Sequence, residues 1–254
     1  MQASEEASVE GEAGLEGHAL EVPRVPPWVT ALLGQVNQRL EGAPPEEILA
    51  WGFETFGPSM TMGTAFGASG MVLLDMARRV CPDLDIFYVD TGLFFPETYQ
   101  LIERAQELVG RPFRRVSSQL TVEQQARVCG DDLWKRDPDR CCHLRKVLPL
   151  ALALQGRAAW VTAVRRDQAS TRKATPAVSW NAKHGLVKLA PLARWTEKEV
   201  WAYLHDHDLP YNTLHDQGYP SIGCEPCTQP AWGADDLRAG RWAGTAKVEC
   251  GIHL

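Results

Sequence analysis

No stretch of about 18 apolar residues occurs in the 254-residue chain, which excludes a membrane-spanning helix. The N-terminus has neither a basic start nor an apolar run of signal-peptide type, so export is not expected. Positive charge is not in excess, with 26 Lys and Arg against 32 Asp and Glu. Six of the acids (Glu5, Glu6, Glu10, Glu12, Glu16 and Glu21) precede the first base, Arg24, and the charges balance from there on. That argues against wholesale nucleic-acid binding and leaves room for a small anionic ligand. Also missing are the Lys-Ser/Thr ending of a Walker loop and the G-x-G-x-x-G of a dinucleotide site. The 7 cysteines (Cys81, Cys129, Cys141, Cys142, Cys224, Cys227 and Cys250) form no disulfide framework. In a cytoplasmic chain their spacing is read first for metal or catalysis.

What remains is an ordinary globular composition, 44% hydrophobic and 23% charged. Residues 1–22 hold few large apolar side chains and cannot offset their ordering entropy, so they are read as a disordered acidic tail. Trp28, Leu32, Leu33, Val36 and Leu40 recur at helical spacing, and Pro44-Pro45 opens a second helix through Trp51. Strands are expected over 59–66, 84–89, 113–116 and 160–164. Helices are expected over 71–80, 96–109, 121–128, 142–154 and 197–207. Apolar strands alternating with helices predict a single α/β domain over 23–232, its mainly parallel sheet flanked by helices. Beyond Leu209 the chain turns irregular, and 233–254 reads as a flexible polar arm.

Three motifs follow three of these strands. Thr64-Ala65-Phe66-Gly67-Ala68-Ser69-Gly70 is a small-residue turn whose backbone N–H groups and following helix can face an anion. Asp90-Thr91-Gly92 ends the next strand, ahead of Phe95-Pro96-Glu97-Thr98. Arg165-Arg166-Asp167-Gln168-Ala169-Ser170-Thr171-Arg172 carries guanidiniums suited to phosphate or sulfate. Ligands of open α/β sheets gather at the carboxyl ends of strands, so all three share one rim. Singly, each is equally a tight connection, a capped turn or a solvated loop.

Cys141-Cys142 begins a helix, and Cys224-Glu225-Pro226-Cys227 lies in the irregular region. Four thiols in two sequence-distant pairs make an iron–sulfur site, a zinc site or none. Helical neighbours diverge by about 100°, which suits two corners of a [4Fe–4S] cubane better than one small tetrahedron. At the chain end, Arg238-Ala239-Gly240-Arg241 and Glu249-Cys250-Gly251-Ile252-His253 put a thiol on a polar arm, beside groups that favour thiolate. The bland alternative is an incidental thiol on a frayed tail.

Together these residues resemble the assimilatory sulfonucleotide reductases, which reduce adenylyl sulfate (APS) or its 3′-phosphorylated form (PAPS) to sulfite. The resemblance runs from about residue 28 to the end. It rests on Ala65-Phe66-Gly67, Val89-Asp90-Thr91-Gly92 with Phe95-Pro96-Glu97-Thr98, Cys141-Cys142 with Arg145-Lys146, Arg165-Arg166-Asp167-Gln168, Ser221-Ile222-Gly223-Cys224 with Cys227-Thr228, and Glu249-Cys250-Gly251-Ile252-His253. It implies an adenine-nucleotide α-hydrolase-like fold and Cys250 as the nucleophile that becomes S-sulfocysteine before thioredoxin, or a glutaredoxin-like reductant, releases sulfite. It also implies Cys141, Cys142, Cys224 and Cys227 as ligands of a [4Fe–4S] cluster, and Lys146, Arg238, Arg241 and His253 in the active site. The rim motifs supply Thr64, Phe66, Gly67, Asp90, Thr91, Gly92, Arg165, Arg166, Gln168 and Arg172 as candidate substrate-binding residues. Ala163, Ala169 and Gln229 depart from the family's usual Gly, Ser and Arg, which bears on substrate preference.

Nucleophilicity falls as a thiol's pKa falls, so activating Cys250 gains little by itself. Positioning and cationic stabilisation by Lys146, Arg238 and Arg241 must supply more. Lys146 lies four residues after Cys142, on the same helix face, and can offset repulsion between cluster and substrate. Three alternatives stay open: PAPS as substrate, a nucleotide-activating pyrophosphatase-type enzyme, and a non-enzymatic iron–sulfur sensor. The expected setting is cytoplasmic; the number of copies that assemble is not legible.

Overall fold

A computed structural model describes residues 26–234, 236 and 238–253; the expected acidic tail lies outside them. Proline at the first turn, where its missing N–H costs nothing, opens α1 (Pro27–Leu40) and α2 (Pro45–Phe56). Three strand–helix units follow: β1 (Met60–Thr64) with α3 (Ala68–Val80), β2 (Asp85–Asp90) with α4 (Pro96–Val109), and β3 (Arg114–Ser117) with α5 (Val122–Cys129). Short α6 (Leu133–Arg136) and α7 (Pro138–Cys142) lead through a π-turn at His143–Val147 into α8 (Leu148–Leu154). Then come β4 (Ala159–Val161), the hairpin β5 (Val178–Asn181) and β6 (Leu186–Leu189), and α9 (Glu197–Asp206). Thr196 and Glu199 cap α9 reciprocally.

The strands stand in the order β3-β2-β1-β4-β6-β5, all parallel except β5. This is the mainly parallel sheet that the sequence predicts. Strand order runs outward both ways from the central β1–β4 pair. The crevice above their carboxyl ends is therefore a topological switch point, where such sheets take ligands. Met60, Met62, Leu73, Leu74, Val161 and Leu189 are among the fully buried residues of the main core. A smaller cluster of Phe87, Leu150, Ala153, Leu154, Trp160 and Leu186 lies under the chain end, and Ile252 packs on it. No helix among the described residues is long and apolar enough to cross a membrane.

The two sheet edges differ, and that at β5 is capped by a side chain. Asn37 of α1 donates to the Val178 carbonyl (2.8 Å) and accepts its N–H (3.2 Å), acting as a side-chain extension of the ladder. At the other edge, Arg114 and Arg115 of β3 turn onto Asp85 and Asp90 of β2 (2.8 and 2.7 Å).

Two features differ from the sequence expectation. The β5–β6 hairpin was not expected; Asn181 closes it by accepting the His184 and Gly185 N–H groups (both 2.9 Å). The expected helix over 142–154 begins earlier, at Pro138, and carries the π-turn midway. Pro149 cannot donate to the carbonyl of Arg145, and the turn before it widens to i→i+5 bonding. Arg145 and Lys146 sit buried on that wide turn.

Candidate active site

A cavity of about 290 Å³ opens at the β1–β4 switch point. Its floor is the loop after β1. Thr64 Oγ1 accepts the Phe66 N–H (3.2 Å), and Phe66 adopts a left-handed φ of 56°. The Phe66 ring is buried against Tyr88 and Phe113 (5.4 and 6.1 Å), although the residue borders the cavity with Thr64 and Gly67. Helix α3 starts at Ala68, earlier than expected, so its N-terminus faces the cavity more closely.

Of Asp90, Thr91 and Gly92, only Thr91 lines the cavity, joined there by Thr98 from the following segment. Asp90 is turned into the fold: it pairs with Arg115 and accepts from the Gly92 N–H (2.8 Å) and the Tyr99 hydroxyl (3.0 Å). Gly92, at φ 67°, shapes the turn. Asp90 and Gly92 therefore position Thr91, whose carbonyl accepts from buried Arg145 (2.7 Å).

The third motif divides in the same way. Arg165, Gln168 and Arg172 line the cavity, while Arg166 points away to Glu41 and the Thr175 carbonyl (2.8 Å). Arg165 is buried, held by Asp167 (2.9 Å) and Ser69. Gln168 Oε1 accepts from the Arg165 N–H (3.1 Å) and from Arg172 (2.6 Å).

The arm lies along the rim and brings Arg238, Arg241, Cys250 and His253 to the same cavity as Lys146. Its base docks on the second cysteine pair: the Trp242 N–H donates to the Cys227 carbonyl (3.0 Å), and Gln229 N–H to that of Gly240 (2.9 Å). Arg241 donates to Ser221 Oγ (3.2 Å) and the Ile222 carbonyl (3.3 Å) and stacks on Trp242. A Cβ at Gly223 would overlap the Arg241 guanidinium, so the glycine leaves room for that side chain. His253 stacks on Trp160 (5.5 Å, 16°), with its buried Nδ1 unpartnered.

The electrostatics follow from this packing. Burial alone would raise the Cys250 thiol, but Lys146, the Ile252 N–H and Arg241 outweigh it and hold the pKa below the usual range. Burial would likewise lower Lys146, yet the thiols of Cys224 and Cys250 outweigh it and raise its pKa. Burial, with Lys188, Arg172 and Arg238 nearby, keeps His253 neutral. Lys188 of β6 is pushed down to about 8 by burial and Arg172.

Cys141, Cys142 and Cys224 are buried and Cys227 half-buried. Burial pushes Cys141 and Cys227 each up to about 11, and in both cases the neighbouring thiols add to the rise. Each pair feels the other, so the four thiols face one region beside Lys146. A donor set of four soft sulfurs, costly to ionise unaided, fits a cationic metal–sulfur core. Sequence reasoning assigned no role to Glu249 or Lys188. Glu249 could have been found as a carboxylate adjoining a nucleophile; Lys188 gave no signal.

Fold and cavity define a doubly wound α/β protein whose switch-point cleft is lined by cations and one activated thiol. A family model described as "Phosphoadenosine phosphosulfate reductase domain" matches residues 59–230. The "Adenosine 5'-phosphosulfate reductase" of Salinibacter ruber is 48% identical over 228 residues, covering 89% of this chain and 90% of its own. "Adenosine 5'-phosphosulfate reductase 1" of Bacillus subtilis is 47% identical over 207 residues, covering 81% and 89%. The crystal structure of a phosphoadenylyl-sulfate (PAPS) reductase from Candida auris, a phosphate complex, superposes with a TM-score of 0.69 at 32% identity, over 76% of this chain and 94% of that one. Candida glabrata FMN adenylyltransferase shares the fold alone, at a TM-score of 0.53 and 16% identity over 77% of this chain and 64% of its own. The chain belongs to the phosphoadenosine phosphosulfate reductase domain family, the sulfonucleotide reductases.

Proposed function

We propose that this chain reduces APS to sulfite and AMP in cytoplasmic sulfate assimilation, with thioredoxin as reductant. One observation carries this reading: the arm thiol of Cys250, its pKa lowered, lines the same switch-point cavity as Lys146 and Arg241. The Cys250 thiolate attacks the sulfate sulfur, and the bond from sulfur to the nucleotide phosphate oxygen breaks, its electron pair leaving on AMP. Cys250 becomes S-sulfocysteine. A thioredoxin thiolate then attacks the Cys250 sulfur and displaces sulfite. The second thioredoxin thiol resolves the mixed disulfide, so the dithiol's two electrons take sulfur from +6 to +4. Lys146 and Arg241 stabilise charge growing on the leaving phosphate. Neutral His253, stacked on Trp160, helps to hold the chain end in place.

Cys141, Cys142, Cys224 and Cys227 would hold a [4Fe–4S] cluster. When bound, it supplies a compact anionic centre that ties α7 to the Cys224–Cys227 turn. Among the described residues, no three His, Cys, Asp or Glu side chains converge on a single ion. Four irons in a cubane ask for more widely spaced sulfurs than one tetrahedral ion does.

APS is favoured over PAPS by charge accounting as well as by the relatives' names. Of the cavity cations, Arg165 is held by Asp167, and Arg172 and Arg238 by Glu249. Lys146 and Arg241 then remain for the phosphosulfate, and neither is spare for a 3′-phosphate. Intact-protein mass spectrometry after mixing with APS alone should show one added SO₃ on Cys250, which thioredoxin removes as sulfite. The adduct should be absent in Cys250→Ser. In parallel turnover, kcat/KM should be higher for APS by about tenfold or more. An adduct on Cys81 or Cys129, or faster turnover of PAPS, would overturn the assignment.

A further inference from the structure

The residue before the nucleophile is an acid, and it is buried. Glu249 accepts from Arg172 through both carboxylate oxygens (2.9 and 3.0 Å) and from Arg238 through one (3.2 Å). Arg172 belongs to the wall after β4, whereas Arg238 belongs to the base of the arm. One carboxylate therefore joins wall, arm base and arm tip. Isolating it from water is tolerable because two guanidiniums meet it, and neutralising the carboxylate would leave both guanidiniums without their counter-charge. It also occupies two cavity arginines that would otherwise turn to an incoming anion.

We propose that Glu249 is a positioning residue: clamped between Arg172 and Arg238, it seats Cys250 against the cavity and masks both arginines from the substrate. The inference rests on Cys250 being the nucleophile and goes beyond it. Cys250 follows Glu249 directly, so a carboxylate fixed from two sides leaves the thiol little freedom to drift. A misplacement of about 1 Å at a reacting atom costs about 10²-fold in rate. Unmasking works the other way on binding, because freed guanidiniums gain an anionic partner when nucleotide enters. A merely structural residue would weaken rate and binding together; this clamp sets them apart.

Glu249→Gln is the test, with Cys250→Ser beside it. In Glu249→Gln we expect kcat with APS to fall about 10²-fold and calorimetric binding of AMP to tighten several-fold. Glu249→Asp should recover part of kcat. Trypsin cleavage after Lys247, whose side chain is 6% exposed beside Asp139, should accelerate at least about tenfold as the arm loosens. Arg172→Gln opens the clamp from the wall side and should give the same accelerated cleavage. The double variant should cleave no faster than either single one. Unchanged kcat and protection in Glu249→Gln, while Cys250→Ser is dead, would sink the clamp alone. So would weaker AMP binding together with a lower melting temperature. Full turnover in Cys250→Ser would instead sink the underlying reading.

Discussion

Lys146 and Cys250 hold each other in their charged forms: each is among the groups that favour the other's ionised state against burial. The ammonium rides on the wide turn ahead of Pro149, and the thiol arrives on the arm from more than a hundred residues later. Removing the cation should therefore let burial raise the thiol's pKa. A thiol with a lowered pKa reacts at lower pH, so its loss of support moves the acid limb upward. For Lys146→Met, adduct formation is expected to slow by about 10²-fold or more, with that limb displaced to higher pH. Single-turnover rates across pH check both. A slowed reaction with an unmoved limb would assign Lys146 to the leaving phosphate alone.

Replacing Cys141, Cys142, Cys224 or Cys227 by Ser should remove iron and sulfide from anaerobically prepared protein and bleach its brown colour. Cys250→Ser should keep both. Zinc in place of iron and sulfide would refute the cluster.

Gly223→Ala offers a separate probe of Arg241. The added methyl would overlap the guanidinium, the far end of a flexible side chain, and not the backbone. Melting temperature should change little, while kcat/KM should fall toward that of Arg241→Ala. A large loss of stability with normal kinetics would show that Arg241 stays in place and the turn yields instead.

Lys188 carries a stability prediction. Its folded pKa of about 8 lies below its ordinary 10.5, so between those values the unfolded chain binds more protons. Stability contributed at this site therefore rises with pH through that window. Below it, the protein bears the cost of a buried ammonium. Lys188→Met should raise Tm at pH 7, by roughly 2–4 °C per kcal/mol relieved, and the gain should shrink by pH 10. Thermal melts at the two pH values decide it.

The rim was legible because strand-end motifs are local. Thr64 to Gly67, Thr91 and Arg165 fall where the alternation of strands and helices puts them. What did not show was the direction of side chains within a motif. Asp90 and Arg166 stand beside cavity residues in sequence, yet ion pairs with Arg115 and Glu41 turn them elsewhere. Such partners are set by tertiary packing and not by spacing. The β5–β6 hairpin escaped because each strand is only four residues long, although the Asn181-to-Gly185 turn was a usable signal. Pro149 likewise marked the π-turn, but a proline in a helix announces a disturbance without fixing its form. Glu249 was visible as a letter; its two guanidinium partners, 77 and 11 residues away, were not.

The sheet edges bear on how copies of this chain behave at high concentration. A strand with free N–H and C=O groups recruits strands from other molecules, the usual first step toward fibrous aggregates. Here Asn37 spends its amide on the Val178 backbone, and β3 presents two arginines over four residues. Strand-to-strand association is thereby discouraged at both ends, and an orderly assembly of copies would have to form through helical faces. Asn37→Leu would uncover the β5 edge, and the first symptom should be turbidity on concentrating the protein, ahead of any loss of catalysis.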